Sequence, residues 1–95
     1  MANSRGTAWE TYLVEHYRPG LDAGALQRTA ELLRRTVSAM ESEGSAVRHV
    51  RSTIVPNDEA FMSVLEAASE SVVREAYARA GLAFERISRA VQVDD

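Results

Sequence analysis

Hydrophobic residues follow two different spacings along this chain, and together the spacings predict six secondary-structure elements. Two stretches place apolar residues three and four positions apart, which is the spacing of one face of a helix. Four other stretches alternate apolar and polar positions, as half-buried strands do: residues 9–17, 47–55, 60–67 and 84–93. The predicted order is β-α-β-β-α-β.

The two predicted helices have recognisable ends. The first is expected to begin after Asp22, whose carboxylate can cap the free amides of the first turn, and to end at Gly44. The second is expected between Ser69 and Gly81. Their apolar stripes are Leu26, Ala30, Leu33, Val37 and Met40 in the first helix, and Val73, Ala76, Tyr77 and Ala80 in the second.

Two helices of this size cannot cover both faces of a four-stranded sheet, so both are expected on one face. This arrangement is the α+β, ferredoxin-like βαββαβ fold, with an antiparallel sheet and the strand order 4-1-3-2. The second and third strands are expected to form a hairpin whose turn contains Pro56. Residues 1–7 are interpreted as a flexible leader, and residues 8–95 as a single domain.

Composition and charge exclude several classes of function. The formal net charge of −3, with arginines spread along the chain, argues against a nucleic-acid partner. The absence of cysteine excludes disulfides, thiolate nucleophiles and thiolate metal sites. No signal peptide or membrane-length apolar run is visible, so a cytoplasmic location without a membrane partner is expected. A chain of 95 residues buries little surface by itself, which favours a homodimer.

The alternation in the strands predicts which residues face away from the helices. Tyr12 and Val14 are expected to face the helices, as are Met62 and Val64 and, in the second strand, Ser52. The opposite face is too apolar for water and too polar for a plain core, which favours a ligand cavity between two copies of the chain. The residues expected on that face are Trp9, Thr11, Leu13, Glu15, Tyr17, His49, Arg51, Phe61, Ser63, Leu65 and Ser88.

Seven short segments are notable for their order and spacing: residues 12–16 (YLVEH), 19–20 (PG), 47–52 (VRHVRS), 66–67 (EA), 73–75 (VRE), 80–82 (AGL) and 86–87 (RI). Taken together, they resemble the DUF4242 family over most of the chain. The resemblance implies a ferredoxin-like fold that assembles as a dimeric α/β-barrel, and nickel binding is known for a bacterial member. Relatives by fold include cofactor-independent polyketide cyclases and small monooxygenases.

The chain departs from the pattern of that family at three positions. The family commonly has Cys where Ser63 stands, His where Ala76 stands, and an aromatic residue where His49 stands. The first two differences remove good ligands for a transition metal. The third adds a histidine to the expected cavity, which favours proton-transfer chemistry.

Three ionisable residues are candidates for that chemistry. Glu15 could act as a general acid or base, or it could simply pair with Arg86. His49 could exchange a proton with a bound enol or carbonyl, or it could be a hydrogen-bonded interface residue. Arg51 could hold a carboxylate or polarise a carbonyl oxygen, or it could lie half-exposed at an interface. The strand order separates Glu15 from His49 by at least about 10 Å, so the two are expected to flank a substrate from opposite sides.

These observations favour a homodimer that binds an apolar metabolite carrying carbonyl groups and catalyses a cofactor-independent cyclisation or isomerisation of a polyketide-like intermediate. The alternatives are a protein that binds nickel or another divalent metal through Glu15, His16 or His49, and a non-catalytic binding dimer. His16 itself points to the other side of its strand and is interpreted as a capping or surface residue. The catalytic residues are predicted to be Glu15, His49 and Arg51, and the substrate-binding residues Trp9, Leu13, Tyr17, Phe61, Ser63 and Leu65.

Overall fold

The computed structural model describes residues 9–93, so the predicted leader lies outside the described residues. The elements follow the predicted order: β1 Glu10–Tyr17, α1 Ala23–Ser42, β2 Val47–Val55, β3 Ala60–Ala67, α2 Glu70–Ala80 and β4 Arg86–Ala90. The strands form one antiparallel sheet in the order β2-β3-β1-β4. The predicted ferredoxin-like α+β fold and its strand order are confirmed. Within residues 9–93, neither α1 nor α2 is both long and apolar enough to cross a membrane.

The ends of the elements reflect local chemistry. Asp22 caps α1, because its carboxylate accepts a hydrogen bond of 2.8 Å from the amide of Ala25. Ser69 occupies the N-cap of α2, but its hydroxyl bonds to Ser71 instead of a backbone amide. A short 3-10 helix, Pro56–Asp58, turns the chain between β2 and β3 and ends at Glu59, which has a left-handed φ of 53°.

The last strand is shorter than predicted. It stops at Ala90, which pairs with Thr11 near the beginning of β1. Val91 and Val93, which the sequence placed in this strand, lie beyond its end and are 89% and 91% exposed. Their alternation with polar residues indicated a strand, but β1 begins at Glu10, only one residue beyond Thr11, where its pairing with β4 ends.

The core lies between the sheet and the two helices, and we call this side of the sheet the helix-covered face. Leu33, Val37 and Met40 of α1 pack there against Val73, Ala76 and Tyr77 of α2 and against the sheet. The strand residues of this core are Tyr12, Val14, Val47, Leu65 and Ala67, with Phe61 in a smaller cluster beside Leu26 and Ala30. The prediction that Tyr12 and Val14 face the helices is confirmed.

The predicted faces of β3 are wrong. Phe61, Ser63 and Leu65 are fully buried on the helix-covered face, whereas Met62, on the other side of the strand, is 37% exposed. The register explains this result, because Leu65 pairs with Tyr12 and Ser63 pairs with Val14, and paired residues share a face. We call the other side of the sheet, which no helix within residues 9–93 covers, the open face.

A β-bulge changes the facing of β2 halfway along the strand. His49 pairs with Leu65 and Arg51 pairs with Val64, so Val50 is the extra residue without a counterpart. One inserted residue moves every later side chain of the strand to the opposite side of the sheet. Consequently His49 and Ser52 both lie on the helix-covered face, and Arg51 lies on the open face. The prediction that His49 and Arg51 share a face is wrong.

Candidate functional site

The open face holds two of the three predicted catalytic residues, and both are engaged in contacts. Nε of Arg86 donates a hydrogen bond of 2.8 Å to the carboxylate of Glu15, so the ion pair considered from the sequence is confirmed. Arg51 donates to the side-chain oxygen of Gln92 at 3.2 Å. Both interactions lie at the surface, where an ion pair contributes little to stability.

The predicted substrate-binding residues are divided between the two faces. Leu13 lies on the open face, half-buried, opposite Val64 and Ser88. Tyr17 ends β1 and is exposed, and Trp9 precedes β1 and is half-buried. Phe61, Ser63 and Leu65 belong to the core beneath the helices instead. A ligand on the open face therefore cannot contact the second group, and it cannot lie between Glu15 and His49.

His49 lines a cleft between α1 and β2, which we call the α1–β2 cleft. Its volume is about 290 Å³, and its lining residues are Gln27, Ala30, Glu31, Arg34, His49, Ser52 and Ile54. A neighbouring hollow of about 380 Å³ shares Arg34 and His49 with the cleft. An imidazole and a guanidinium therefore line both hollows.

Burial, more than the nearby charges, favours the neutral form of the His49 imidazole. Burial lowers the pKa of His49, and the positive charge of Arg34 lowers it further, while Glu31 offsets part of the decrease. Nε of Arg34 donates to both carboxylate oxygens of Glu31, at 3.0 and 3.1 Å. This pairing lowers the pKa of Glu31, so the carboxylate is ionised at pH 7. The cleft therefore presents a neutral imidazole beside an ion pair.

A polar contact network continues from His49 into the core. Nε2 of His49 is 2.9 Å from the hydroxyl of Ser52, and that hydroxyl is 2.7 Å from the hydroxyl of Ser63. Ser63 is fully buried although it is polar. The contact between Nε2 and the half-buried Ser52 orients the ring of His49, as a general acid or base requires.

Sequence reasoning missed Glu31, Arg34 and Ser52 as members of the site. Glu31 and Arg34 are spaced as an ordinary surface pair on a helix, which carries no functional signal by itself. Ser52 was expected on the opposite side from His49, and only the bulge at Val50 brings the two together. The polar Ser63 in an otherwise apolar stretch was a usable signal, since a buried hydroxyl requires a partner.

His16 is a core residue, so its interpretation as a capping or surface residue is wrong. It is 2% exposed and stacks on the ring of Phe61, with 3.8 Å between ring centroids. Its Nδ1 lies 3.1 Å from the carbonyl oxygen of Phe61. Burial is the main cause that lowers the pKa of His16 to about 4. An imidazole is compatible with this core only in its neutral form.

The ligands that the nickel hypothesis requires do not meet. Glu15 lies on the open face, His16 in the core and His49 in the α1–β2 cleft. Within residues 9–93, no group of three histidine or acidic side chains could hold a metal ion.

Comparison with known proteins supports the fold. The chain is similar to the crystal structure of SCO4226 from Streptomyces coelicolor A3(2), with a TM-score of 0.68. The match covers 88% of this chain and 99% of that one, at 17% sequence identity. At this identity the likeness shows the fold alone. No protein-family model matches the chain, and no curated protein matches it.

Proposed function

We propose that the protein binds a small molecule carrying a carbonyl group in the α1–β2 cleft and promotes a cofactor-independent proton transfer there. The observation that carries this proposal is that His49 and Arg34 line the same cleft, where burial lowers the pKa of the His49 imidazole and so favours its neutral form. A neutral imidazole accepts a proton readily near physiological pH. Isomerisation of a carbonyl compound needs only proton transfers, and a cyclisation can begin with one, after which the resulting enolate forms the new bond.

Each part of the cleft has a role in this proposal. His49 accepts a proton from a carbon next to the carbonyl group and returns it to another position. Arg34 stabilises the negative charge that develops on the carbonyl oxygen, as a guanidinium donor does for an enolate. Ala30 and Ile54 provide the apolar contacts for the carbon skeleton. Glu15 and Arg51 have no part in this reaction, because they lie on the open face.

The exchange of protons for deuterons on a simple ketone tests the proposal. Cyclohexanone in D₂O exchanges the hydrogens beside its carbonyl group slowly, and NMR measures the rate. We expect the protein to accelerate the exchange and the His49→Gln variant to lose most of the acceleration. Thr53→Ala, on the same strand but the opposite face, is the matched control and should behave as the unmodified protein. Equal rates with and without protein would contradict the proposal.

We also propose that two copies of the chain pair through their open faces. This face carries the half-buried Leu13 and the exposed Met62, and its two ion pairs, Glu15 with Arg86 and Arg48 with Glu66, provide both signs of charge. A surface with both signs is complementary to a second copy of itself, as two-fold symmetry requires. A non-catalytic binding dimer would use the same face and remains the second candidate function.

Other parts of the prediction are neither supported nor contradicted by the fold. Membership of the DUF4242 family, a polyketide-like substrate and a cytoplasmic location stay predictions from the sequence.

A further inference from the structure

Two residues of the α1–β2 cleft make a contact that the proposed ketone chemistry does not use. The hydroxyl of Ser52 is 2.9 Å from Nε2 of His49, and both side chains line the cleft. A serine hydroxyl within hydrogen-bond distance of an imidazole is the arrangement that activates serine as a nucleophile. The cleft therefore holds a candidate nucleophile as well as a base.

The β-bulge at Val50 makes this contact possible. In a regular strand, residues three positions apart lie on opposite sides of the sheet, so His49 and Ser52 could not meet. Because Val50 is the extra residue, both side chains lie on the helix-covered face, where they line the cleft beside α1. Bulges are frequent next to active sites, where they redirect a side chain. The bulge thus has a consequence for chemistry as well as for the facing of β2.

A second contact holds the hydroxyl of Ser52. It lies 2.7 Å from the hydroxyl of Ser63, which is fully buried. When Ser63 donates its hydrogen in this contact, Ser52 donates its own to Nε2 of His49, as a nucleophile must. Burial favours the neutral form of His49, which is the form that can accept this hydrogen. The two contacts together place the hydroxyl of Ser52 for transfer of its proton to His49.

The cleft also contains a donor for the negative charge that a nucleophilic attack produces. Arg34 lines it together with His49 and Ser52. The ion pair of Arg34 with Glu31 uses Nε and Nη2, so Nη1 takes no part in that pair. A guanidinium N–H group stabilises an oxyanion as the charge develops. A nucleophile, a base and an oxyanion donor therefore line one cleft.

We propose that Ser52 is the nucleophile of an acyl-transfer reaction on carboxylic esters in the α1–β2 cleft, with His49 as its base. The oxygen of Ser52 bonds to the acyl carbon while its proton moves to Nε2 of His49. The bond from that carbon to the alcohol oxygen of the ester then breaks, and this oxygen takes the proton from His49. Nη1 of Arg34 donates to the carbonyl oxygen during the attack.

Solvent water completes the reaction and restores the serine. A water molecule attacks the acyl carbon and gives a proton to Nε2 of His49. The bond between that carbon and the oxygen of Ser52 breaks, a carboxylic acid leaves, and Ser52 takes the proton back from His49. No oxidant, reductant or metal is required. This activity uses the residues of the proposed site but does not rest on the ketone reaction.

Acetylation by p-nitrophenyl acetate tests the inference. The protein is mixed with the ester, the reaction is stopped with acid, and mass spectrometry of peptide fragments locates the acetyl group. The chain contains no lysine, so no side-chain amine competes for the ester. We expect a burst of p-nitrophenolate that approaches the amount of protein, and an acetyl group on Ser52.

Four variants separate the roles of the residues. Ser52→Ala should abolish the burst, and His49→Gln should slow the acetylation by about 100-fold or more. Ser63→Ala should lower the maximum rate several-fold and leave unchanged the ester concentration that gives half of that rate, because Ser63 is a positioning residue that does not touch the ester. Ser88→Ala, on the open face, is the matched control for loss of a serine hydroxyl and should behave as the unmodified protein.

Three results would overturn the inference: no burst in the unmodified protein, an acetyl group on a residue other than Ser52, or a burst that persists in Ser52→Ala. If Ser52→Ala does not fold, Ser52→Cys keeps a nucleophile at the same position and should be acetylated on its sulfur, and a lack of acetylation there would equally overturn the inference. The ketone exchange forms no bond to the protein. Acetylation can therefore fail while the exchange succeeds, or the reverse, so the two proposals fail separately.

Discussion

The imidazole of His16 stacks on aromatic rings in the core, and its burial should make the protein sensitive to acid. Its pKa is lowered to about 4 in the folded protein, from an ordinary value of 6.5. The unfolded chain therefore binds a proton on His16 before the folded protein does. Stability from this residue is complete above pH 6.5 and is lost as the pH falls towards 4, by about 3 kcal/mol in total.

Urea unfolding at several pH values measures this effect. Carboxylates also contribute to acid sensitivity, so the unmodified protein must be compared with His16→Phe, which keeps an aromatic ring in the stack. We expect the unmodified protein to lose about 3 kcal/mol more than the variant between pH 7 and pH 4. Parallel stability curves would show that His16 is protonated in the folded state as easily as in the unfolded chain.

A backbone position in the hairpin gives a second prediction at the residue scale. Glu59 has a φ of 53°, a left-handed conformation that costs a side-chain-bearing residue about 1 kcal/mol. Glu59→Gly removes this cost, and we expect a gain of up to about 1 kcal/mol over Glu59→Ala, which keeps the Cβ atom and lacks the carboxylate. Chemical denaturation compares the two variants. A glycine variant that is the less stable of the two would contradict the prediction.

Among the elements, β2 and β3 show where sequence reasoning succeeds and where it stops. The bounds of β2, β3 and the hairpin follow from alternation and from Pro56, and the structure agrees with them. The side of the sheet that each residue of β2 faces could not be predicted, because no sequence signal indicates the bulge at Val50. In β3 the polar Ser63 lies between two apolar residues that belong to the core, so the apolar pattern alone could not assign the face.

The same limit applies to the candidate site. His49 could be recognised as a candidate because histidine titrates near neutral pH. Its partners Arg34 and Ser52 could not be recognised from the sequence, because their contacts with His49 depend on how α1 lies across β2 and on the bulge. Long-range packing, not local propensity, brings these side chains together.

The facing of β3 is testable with two neighbouring substitutions. Phe61 is fully buried and Met62 is 37% exposed. We expect Phe61→Ala to reduce the free energy of unfolding by about 3–5 kcal/mol, since it leaves a cavity in the core. Met62→Ala in the monomer should cost less than about 1 kcal/mol. Urea unfolding at low protein concentration compares the two variants. A larger loss of stability in Met62→Ala than in Phe61→Ala would contradict the structure and support the face predicted from alternation.

At the scale of the molecule, α1 and α2 lie on one side of the sheet, and no element in the described part of the chain covers the open face. That face combines Leu13 and Val64 with paired charges, and we propose that a second copy covers it. Leu13→Arg places an unpaired charge in the middle of this surface, so we expect it to convert a dimer into a monomer. Val93→Arg, at a position that is 91% exposed, should leave the dimer intact.

Analytical ultracentrifugation at micromolar concentrations distinguishes the two states. A monomer in the unmodified protein, or a Leu13→Arg variant that still sediments as a dimer, would contradict pairing through the open face. Neither result would affect the α1–β2 cleft, since the cleft lies on the other side of the sheet.

The location of the ligand is the central claim, and amide chemical-shift mapping tests it most directly. Cyclohexanone is titrated into the ¹⁵N-labelled protein, and the amides that shift are assigned to residues. We expect the shifts to cluster around the α1–β2 cleft, at Arg34, His49 and Ser52, and to disappear in His49→Gln. Shifts that cluster instead on the open face, at Leu13, Val64 and Arg86, would contradict this claim. They would show that the ligand binds on the sheet surface that the sequence predicted.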